Sequence, residues 1–352
     1  MTEKNKKILF YINILFVLLI KSIASLFSIL NLFSTEQIQY FFYISSLSQI
    51  FFFCISLGHT SDKDFTFFSR KQILYIILRL TVLTAGLLIY DQSVTYYLVP
   101  SIFFALLMTF NSFVDFRVKL YTLYIESTAS FLLIISITFI IVISSLTITE
   151  GRMIIQILPF FIYTLLIMFT HISNRKIWFA DRRSEITIDK FIFFYALLTS
   201  LYTFLDRRYI AEFGEIHQES IFIIINSFSL IVFFMDYYFK RMNCSNICFT
   251  SAILIYNVLA ISFIFIGYEI EAFYTSILFF QFLCFSFYAI RKKKSIIISL
   301  SIFFIIICIL LTLGSNKIIN FFYVYYIMYL SQLVFSIYFI VNVIPRTPKV
   351  VA

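Results

Sequence analysis

The chain has 352 residues, of which 61% are hydrophobic and only 13% are charged, and it carries a net charge of +9 at pH 7. A soluble domain normally has about a quarter of its residues charged, so this composition excludes a soluble protein and indicates that lipid surrounds most side chains. In a soluble protein the positive charge would favour nucleic acid as a partner. In a membrane protein an excess of Lys and Arg in cytoplasmic loops explains it, and we expect no nucleic-acid partner.

The fold class follows from the kinds of apolar residue and their arrangement. Forty-eight Phe and 24 Tyr stand against six Gly and four Pro, which favours long unbroken helices. Lipid admits only helices or closed barrels, and a barrel needs alternating segments of roughly ten residues. Ile296 to Leu313 is instead apolar at nearly every position. We therefore predict an all-α integral membrane protein.

Apolar segments of roughly 20 residues, the length needed to cross the hydrocarbon, predict about 12 transmembrane helices. The first six lie near 8–33, 38–57, 72–90, 96–114, 121–146 and 153–172. The second six lie near 191–208, 219–238, 247–267, 271–289, 295–313 and 319–344. The first segment follows MTEKNKK without a small-residue cleavage site, so we expect it to be a span and not a removed signal peptide.

A polar stretch at 173–190 separates the two sets of six and holds five Lys or Arg. It predicts a cytoplasmic linker between an N-terminal six-helix lobe at 1–172 and a C-terminal six-helix lobe at 191–352. With the N-terminus inside, 21 of the 27 Lys and Arg fall in inner segments, four in outer segments and two within spans. Because basic residues concentrate on the cytoplasmic side, this split predicts that both termini are cytoplasmic. Any repeat of the two halves would then be parallel.

Three ionisable residues fall inside the predicted spans of the first half. A charge there costs roughly 2.5 to 3.5 kcal/mol on insertion scales. Lys21 lies near mid-membrane, which favours a position in a polar cavity over a structural ion pair. Arg79 is near enough to the cytoplasmic face for its long side chain to reach the headgroups. Glu126 fits equally a structural role and a site that couples transport to a proton or cation.

Three consecutive charges, Asp206, Arg207 and Arg208, end the seventh apolar segment on its outer side. A solvated cap and a functional cluster both fit this position. Amides inside the predicted spans are expected to make helix-to-helix hydrogen bonds more often than ligand contacts. They are Gln49, Asn111, Asn226, Asn257, Gln281 and Gln332.

Nothing in the chain predicts a catalytic site, a metal or another cofactor. His59, His171 and His217 are dispersed, and no HExxH, GxSxG or Walker pattern is present. Cys244 and Cys248 lack nearby His or Cys partners, so a metal site is not expected. The five cysteines lie in apolar segments or on a predicted inner loop, where disulfides are not expected.

Two stretches resemble the polysaccharide flippase (Wzx-like) branch of the multidrug/oligosaccharidyl-lipid/polysaccharide exporter superfamily. The first is LFSTEQIQYFFYISSLSQIFFFCISLGHTSDKDF, Leu32 to Phe65, similar to the family's second helix with its Leu-Gly end and short polar inner loop. The second is LYTFLDRRYIAEFGEIHQESIFIIINSFSLIVFFMDYYFKR, Leu201 to Arg241, similar to the start of the family's second half. There an Asp after an apolar segment precedes a short loop and the eighth helix.

The resemblance implies two six-helix lobes around a central cavity in the bacterial cytoplasmic (inner) membrane. The implied activity is ion-coupled alternating access that moves an undecaprenyl-pyrophosphate-linked oligosaccharide to the outer leaflet for O-antigen, capsule or exopolysaccharide synthesis. The implied cavity cations are Lys21, Arg79, Arg207 and Arg208. Glu126 and Asp206 are the candidates for coupling to a proton or sodium ion. Implied partners are this lipid-linked oligosaccharide, membrane lipids, the coupling ion, and polymerase and chain-length proteins.

A polysaccharide polymerase or another multipass membrane transferase is the alternative, beside another exporter of the superfamily or a non-transporting membrane partner. A polymerase is expected to have a sizeable outer loop bearing arginines, whereas the longest predicted one, Tyr209 to Gln218, has ten residues. A multipass acyltransferase is expected to carry a His and Arg pattern early in the chain, and the first span has neither. The sequence therefore favours a transporter over an enzyme.

Overall fold

The structure is a computed structural model of the chain. It describes residues 35–56, 70–90, 94–102, 105–106, 190–225, 228, 246–291 and 294–344. Within these residues the backbone forms helices joined by short turns, and no strand occurs among them. The long helices are α1 (Thr35–Ser56), α2 (Arg70–Tyr90), α3 (Lys190–Phe213), α4 (Asn246–Phe265), α5 (Glu269–Arg291), α6 (Lys294–Ser315) and α7 (Phe321–Tyr338), which continues into a π-helical turn at Phe339–Val343.

Four of these helices have the length and apolar composition needed to cross a membrane: Ile38–Ser56 in α1, all of α4, all of α6, and α7 with its π turn to Val343. The shortest of them has 19 residues, which at about 1.5 Å per residue matches a hydrocarbon core of roughly 30 Å. The prediction of a helical, multi-pass membrane protein is therefore confirmed. The count of twelve spans and the two-lobed architecture stay predictions.

The predicted spans agree with the described helices to within a few residues, except at the end of α3. The apolar pattern predicts an end at residue 208, and the helix continues to Phe213. The predicted spans near 8–33, 121–146 and 153–172, and most of those near 96–114 and 219–238, lie outside the described residues. So does the predicted linker at 173–190, except for Lys190, which begins α3.

The chain divides into two compact units. Among the described residues, the C-terminal unit comprises 35–42 and 190–344, and the N-terminal unit comprises the rest. The start of α1 thus packs with the second half of the sequence, where Gln39 donates a hydrogen bond from Nε2 to the Ala211 carbonyl at 3.1 Å.

In the N-terminal unit, α1 packs against the helical segment at 94–102. The Tyr43 and Tyr97 rings stack with their centroids 5.0 Å apart, and the Ser101 hydroxyl donates to the Ile44 carbonyl at 3.3 Å. Much of the apolar surface of α2 is exposed, including Leu74. Such a surface is what a helix facing lipid needs.

In the C-terminal unit, α3 packs along α6, and α5 lies against α4 and α7. Aromatic rings fill the interior in edge-to-face contacts, as between Phe280 and Phe303 at 5.1 Å, an arrangement that aromatic pairs prefer. Gly314 on α6 allows α3 and α7 to approach α6 closely. A Cβ atom there would lie 2.8 Å from the Tyr209 ring on α3 and 2.7 Å from Val324 on α7.

Three turns reverse the chain at one end of the C-terminal unit, which we call the turn end: 214–217, 266–268 and 316–320. Gly267 adopts a φ of +95°, which favours glycine. At the opposite end, Asn246 donates from Nδ2 to the Ile344 carbonyl at 2.9 Å, and the Lys294 ammonium lies 5.3 Å from the Phe191 ring centroid. The predicted register assigns this second, lysine-bearing end to the cytoplasm.

Candidate functional site

Asp206 is the centre of the candidate site, and it is buried inside the C-terminal unit with 1% of its surface exposed. Its Oδ1 accepts a hydrogen bond from the Tyr325 hydroxyl at 2.8 Å. Its Oδ2 accepts one from the Tyr274 hydroxyl at 3.1 Å. A carboxylate on α3 is therefore held by phenols from α5 and α7, and these three helices meet at this side chain.

The buried face of α3 explains why Asp206 points inward. Tyr195, Leu198, Tyr202, Asp206 and Tyr209 are all buried, and their spacing of three or four residues places them on one side of a helix. Asp206 thus occupies a position that an apolar residue would normally fill. Because removing a carboxylate from water is costly unless other groups compensate, the two phenol donors are needed to hold it there.

The next residue, Arg207, lies close to two aromatic rings. Its guanidinium carbon is 5.8 Å from the Phe42 ring centroid and 6.0 Å from the Tyr274 ring centroid, within the range of cation–π attraction. Its Nη1 is buried and has no hydrogen-bond acceptor among the described residues. A buried donor without an acceptor is rare in proteins, which makes this atom a candidate for binding an anion.

Arg208 lies in a different environment from its two neighbours. Its Nε donates to Glu212 Oε1 at 2.6 Å across one turn of α3, and both side chains are about 30% exposed. The three consecutive charges of the sequence are therefore separated by the helix. Asp206 is in the interior, Arg207 lies at a ring-lined position beside it, and Arg208 is on a partly exposed face.

Tyr202 is a third phenol near the site, and it lies on α3 one turn before Asp206. Its hydroxyl is buried and has no hydrogen-bond partner among the described residues. Together with Tyr274 and Tyr325, it gives the interior around the carboxylate a set of hydroxyl groups with both donor and acceptor capacity. Such a set suits the binding of a proton or a small cation at Asp206.

A second carboxylate lies at the turn end. Glu271 Oε1 accepts a hydrogen bond from the Ser220 hydroxyl at 2.6 Å and lies 3.3 Å from His217 Nδ1. The His217 ring stacks on Phe321, and Phe321 stacks on Tyr209. Aromatic contacts thus link this pair to the buried face of α3.

Two amide side chains cap the C-terminal end of α3. Gln218 donates from Nε2 to the carbonyls of Ile210 and Ala211 at 3.1 and 3.0 Å. Ala211 also accepts the hydrogen bond from Gln39. Because the last carbonyls of a helix have no partner within it, these bonds fix the segment that carries Asp206 and Arg207.

The remaining predicted site residues do not lie in this cluster. Lys21 and Glu126 lie outside the described residues. Arg79 belongs to α2 in the N-terminal unit, where its Nε donates to the Tyr75 carbonyl at 3.0 Å. Its buried Nη1 has no hydrogen-bond acceptor within the part of the chain that the structure describes.

Sequence reasoning missed Phe42, Tyr202, Tyr274 and Tyr325. A Tyr inside an apolar segment carries a hydroxyl that needs a partner when buried, and this signal marks the three tyrosines. In the described ranges, no group of three or more His, Cys, Asp or Glu side chains is placed to hold a metal ion.

No protein-family model, curated protein or solved structure matches this chain.

Proposed function

We propose that this protein is a flippase that moves an undecaprenyl-pyrophosphate-linked oligosaccharide across the bacterial cytoplasmic membrane by ion-coupled alternating access. The product would feed the synthesis of a surface polysaccharide such as O-antigen, capsule or exopolysaccharide. The resemblance of two sequence stretches to the Wzx-like branch suggests this activity. The multi-pass helical character agrees with it.

The observation that carries the proposal is the buried Nη1 of Arg207, which has no hydrogen-bond acceptor among the described residues of the helical bundle. An ionisable group among membrane helices is costly and is typical of a substrate or ion pathway. The pyrophosphate head of the carrier lipid is anionic, and a planar guanidinium matches its oxygens with two parallel hydrogen bonds. Outward movement of an anion is also favoured by an inside-negative potential, by about 2.3 kcal/mol per charge per 100 mV.

In this proposal Asp206 couples headgroup binding to a cation. A proton or sodium ion on Asp206 changes the charge beside Arg207, so binding of the cation and binding of the anionic head influence each other. Glu126 is the other coupling candidate, and Lys21, Arg79 and Arg208 are the further cations that the resemblance implies.

The decisive measurement is the leaflet in which the lipid-linked repeat unit resides, in cells with and without the protein. Inner-membrane vesicles treated with a membrane-impermeant sugar oxidant report it. Deletion should leave the repeat units on the cytoplasmic leaflet and abolish surface polysaccharide. A polymerase mutant, in contrast, still exports single repeat units. Surface polysaccharide that survives deletion would refute both functions.

The role of Arg207 is tested by Arg207→Ala in the same cells. Export should fall at least about tenfold, since losing a charge-assisted bidentate contact costs more than 1.4 kcal/mol. The protein level should stay unchanged. Lys294→Ala is the matched control because it removes a positive charge from the opposite end of the C-terminal unit, and it should export normally. Equal export by both variants would show that Arg207 does not bind the substrate.

A further inference from the structure

Basic residues from three helices lie at the lysine-bearing end of the C-terminal unit. Lys190 begins α3, Arg291 ends α5 and Lys294 begins α6. The Lys294 ammonium lies 5.3 Å from the ring centroid of Phe191, the residue after Lys190. Lys190 and Lys294 are both exposed. We call Lys190, Arg291 and Lys294 the basic patch.

No carboxylate offsets this charge in the described part of this end. The described segments that reach it contain no Asp or Glu: 190–200, 246–256, 280–291, 294–304 and 334–344. The turn end carries glutamates instead, such as Glu215 and Glu269. The sequence adds two more lysines, Lys292 and Lys293, between α5 and α6. The described residues of the C-terminal unit are therefore polarised, and its basic end has no counter-charge among them.

The positions of the two lysines on their helices make an anion more favourable there. Lys190 and Lys294 are the first residues of α3 and α6, and neither helix has an acidic residue in its first turn. Because the beginning of a helix carries a partial positive charge, an anion is favourable there and a lysine is not. α5 has the usual arrangement, with Glu269 and Glu271 in its first turn. A bound anion would compensate both lysines and both helix ends.

Exposed apolar side chains follow the basic patch on both helices. They are Phe191, Phe194 and Leu197 on α3, and Ile298 and Ile302 on α6. α3 packs along α6, and these side chains lie within about two turns of the first residue of each helix. A ligand with an anionic head and apolar chains matches both features. Free phosphate would match only the lysines.

We propose that the basic patch binds the headgroup of an anionic phospholipid in the cytoplasmic leaflet. The lipid phosphate lies beside Lys190 and Lys294 at the beginnings of α3 and α6, and the acyl chains follow the exposed apolar side chains. Basic residues at the cytoplasmic ends of membrane helices attract and bind anionic headgroups. The inference does not depend on the flippase proposal. This lipid is bound and not transported, so Lys294→Ala is still expected to export normally.

The test measures the Tm of the purified full-length protein in neutral detergent, with phosphatidylglycerol or phosphatidylcholine added at the same mole fraction. A ligand that binds only the folded state raises the Tm in a saturable way. We expect this rise with phosphatidylglycerol and not with phosphatidylcholine, which has no net charge. Raised salt should weaken it, because salt screens exposed charges. Inorganic pyrophosphate has no acyl chains and should not reproduce it.

Paired variants assign the response to the basic patch. Lys190→Gln combined with Lys294→Gln should raise the phosphatidylglycerol concentration for half the effect by about 25-fold, since each basic residue near a lipid surface contributes about fivefold. Lys190→Arg combined with Lys294→Arg retains both charges and should keep the full response. Lys317→Gln is the matched control, because it removes an exposed lysine from the turn end, and it should also keep the response.

Three results would overturn the proposal: an equal response to phosphatidylcholine, a full response in the double Gln variant, or a full response to inorganic pyrophosphate. Undecaprenyl phosphate is the remaining probe. If it raises the Tm and phosphatidylglycerol does not, the basic patch binds the carrier lipid and the phospholipid inference is wrong. The leaflet assay tests the flippase proposal separately, so failure of one proposal leaves the other standing.

Discussion

Two carboxylates of the C-terminal unit accept hydrogen bonds from hydroxyl groups, but their surroundings differ. Asp206 is 1% exposed and bonds to two phenols from other helices. Glu271 lies at the turn end with 20% of its side chain exposed, beside a serine hydroxyl and a histidine. Water can still reach Glu271, whereas the protein alone must compensate the charge of Asp206. We therefore expect burial, more than the number of hydrogen bonds, to set what each carboxylate contributes to stability.

Asp206→Ala should have the largest effect on stability. It removes two hydrogen bonds to a charged acceptor, each contributing about 1.5–3 kcal/mol, and leaves the hydroxyls of Tyr274 and Tyr325 buried without an acceptor. We expect the free energy of unfolding to fall by about 3 kcal/mol, measured by denaturation in mixed micelles. Asp206→Asn, which keeps one acceptor oxygen, should lose clearly less. Equal losses in the two variants would mean that packing, and not hydrogen bonding, holds the site.

Gly314→Ala tests the packing around Tyr209, which lies between Asp206 and Glu271. The new methyl group would lie 2.8 Å from the ring of Tyr209. The Tyr209 ring in turn stacks on Phe321 at the turn end and lies near Tyr325. Overpacking of this kind costs about 1–3 kcal/mol. Gly86→Ala on α2 is the matched control, because a Cβ atom there meets nothing within 4 Å. A control as unstable as the Gly314 variant would show that tight packing on Tyr209 is not the cause.

The sequence predicts most helix ends of the C-terminal unit, because charges and turn residues mark the ends of its apolar segments. It also predicts a hydrogen bond between spans at Gln332, and the bond to Asn257 confirms it. The environment of Asp206 is not predictable in this way. The run Asp-Arg-Arg reads as a polar end, yet α3 continues to Phe213 because Tyr209 and Ile210 are buried. The partners of Asp206 lie 68 and 119 residues away, and no local pattern specifies such distant contacts.

Glu271→Gln should cost less than the change at Asp206. The amide keeps an oxygen for the Ser220 hydroxyl but loses the charge that faces His217. We expect a loss of about 1 kcal/mol or less in the free energy of unfolding, because partly exposed interactions are weak. His217→Gln in the same assay should give a similar loss, and the double variant should lose less than the sum of the two. Fully additive losses would show that the two side chains do not interact.

Arg208→Ala should have the smallest effect on stability. Its contact with Glu212 is a pair four residues apart on one helix, with both side chains about 30% exposed. Pairs of this kind contribute about 0.3–0.5 kcal/mol, and raised salt should remove even this difference, since salt screens exposed charges. The same denaturation assay at low and high salt measures it. Arg207→Ala should behave differently, because Nη1 of its guanidinium is buried and the Phe42 and Tyr274 rings lie beside it, which shields this part of the charge from salt. If high salt removed the stability loss equally in both variants, the Arg207 side chain would be as solvated as that of Arg208. Arg207 would then no longer be the preferred candidate for binding the substrate.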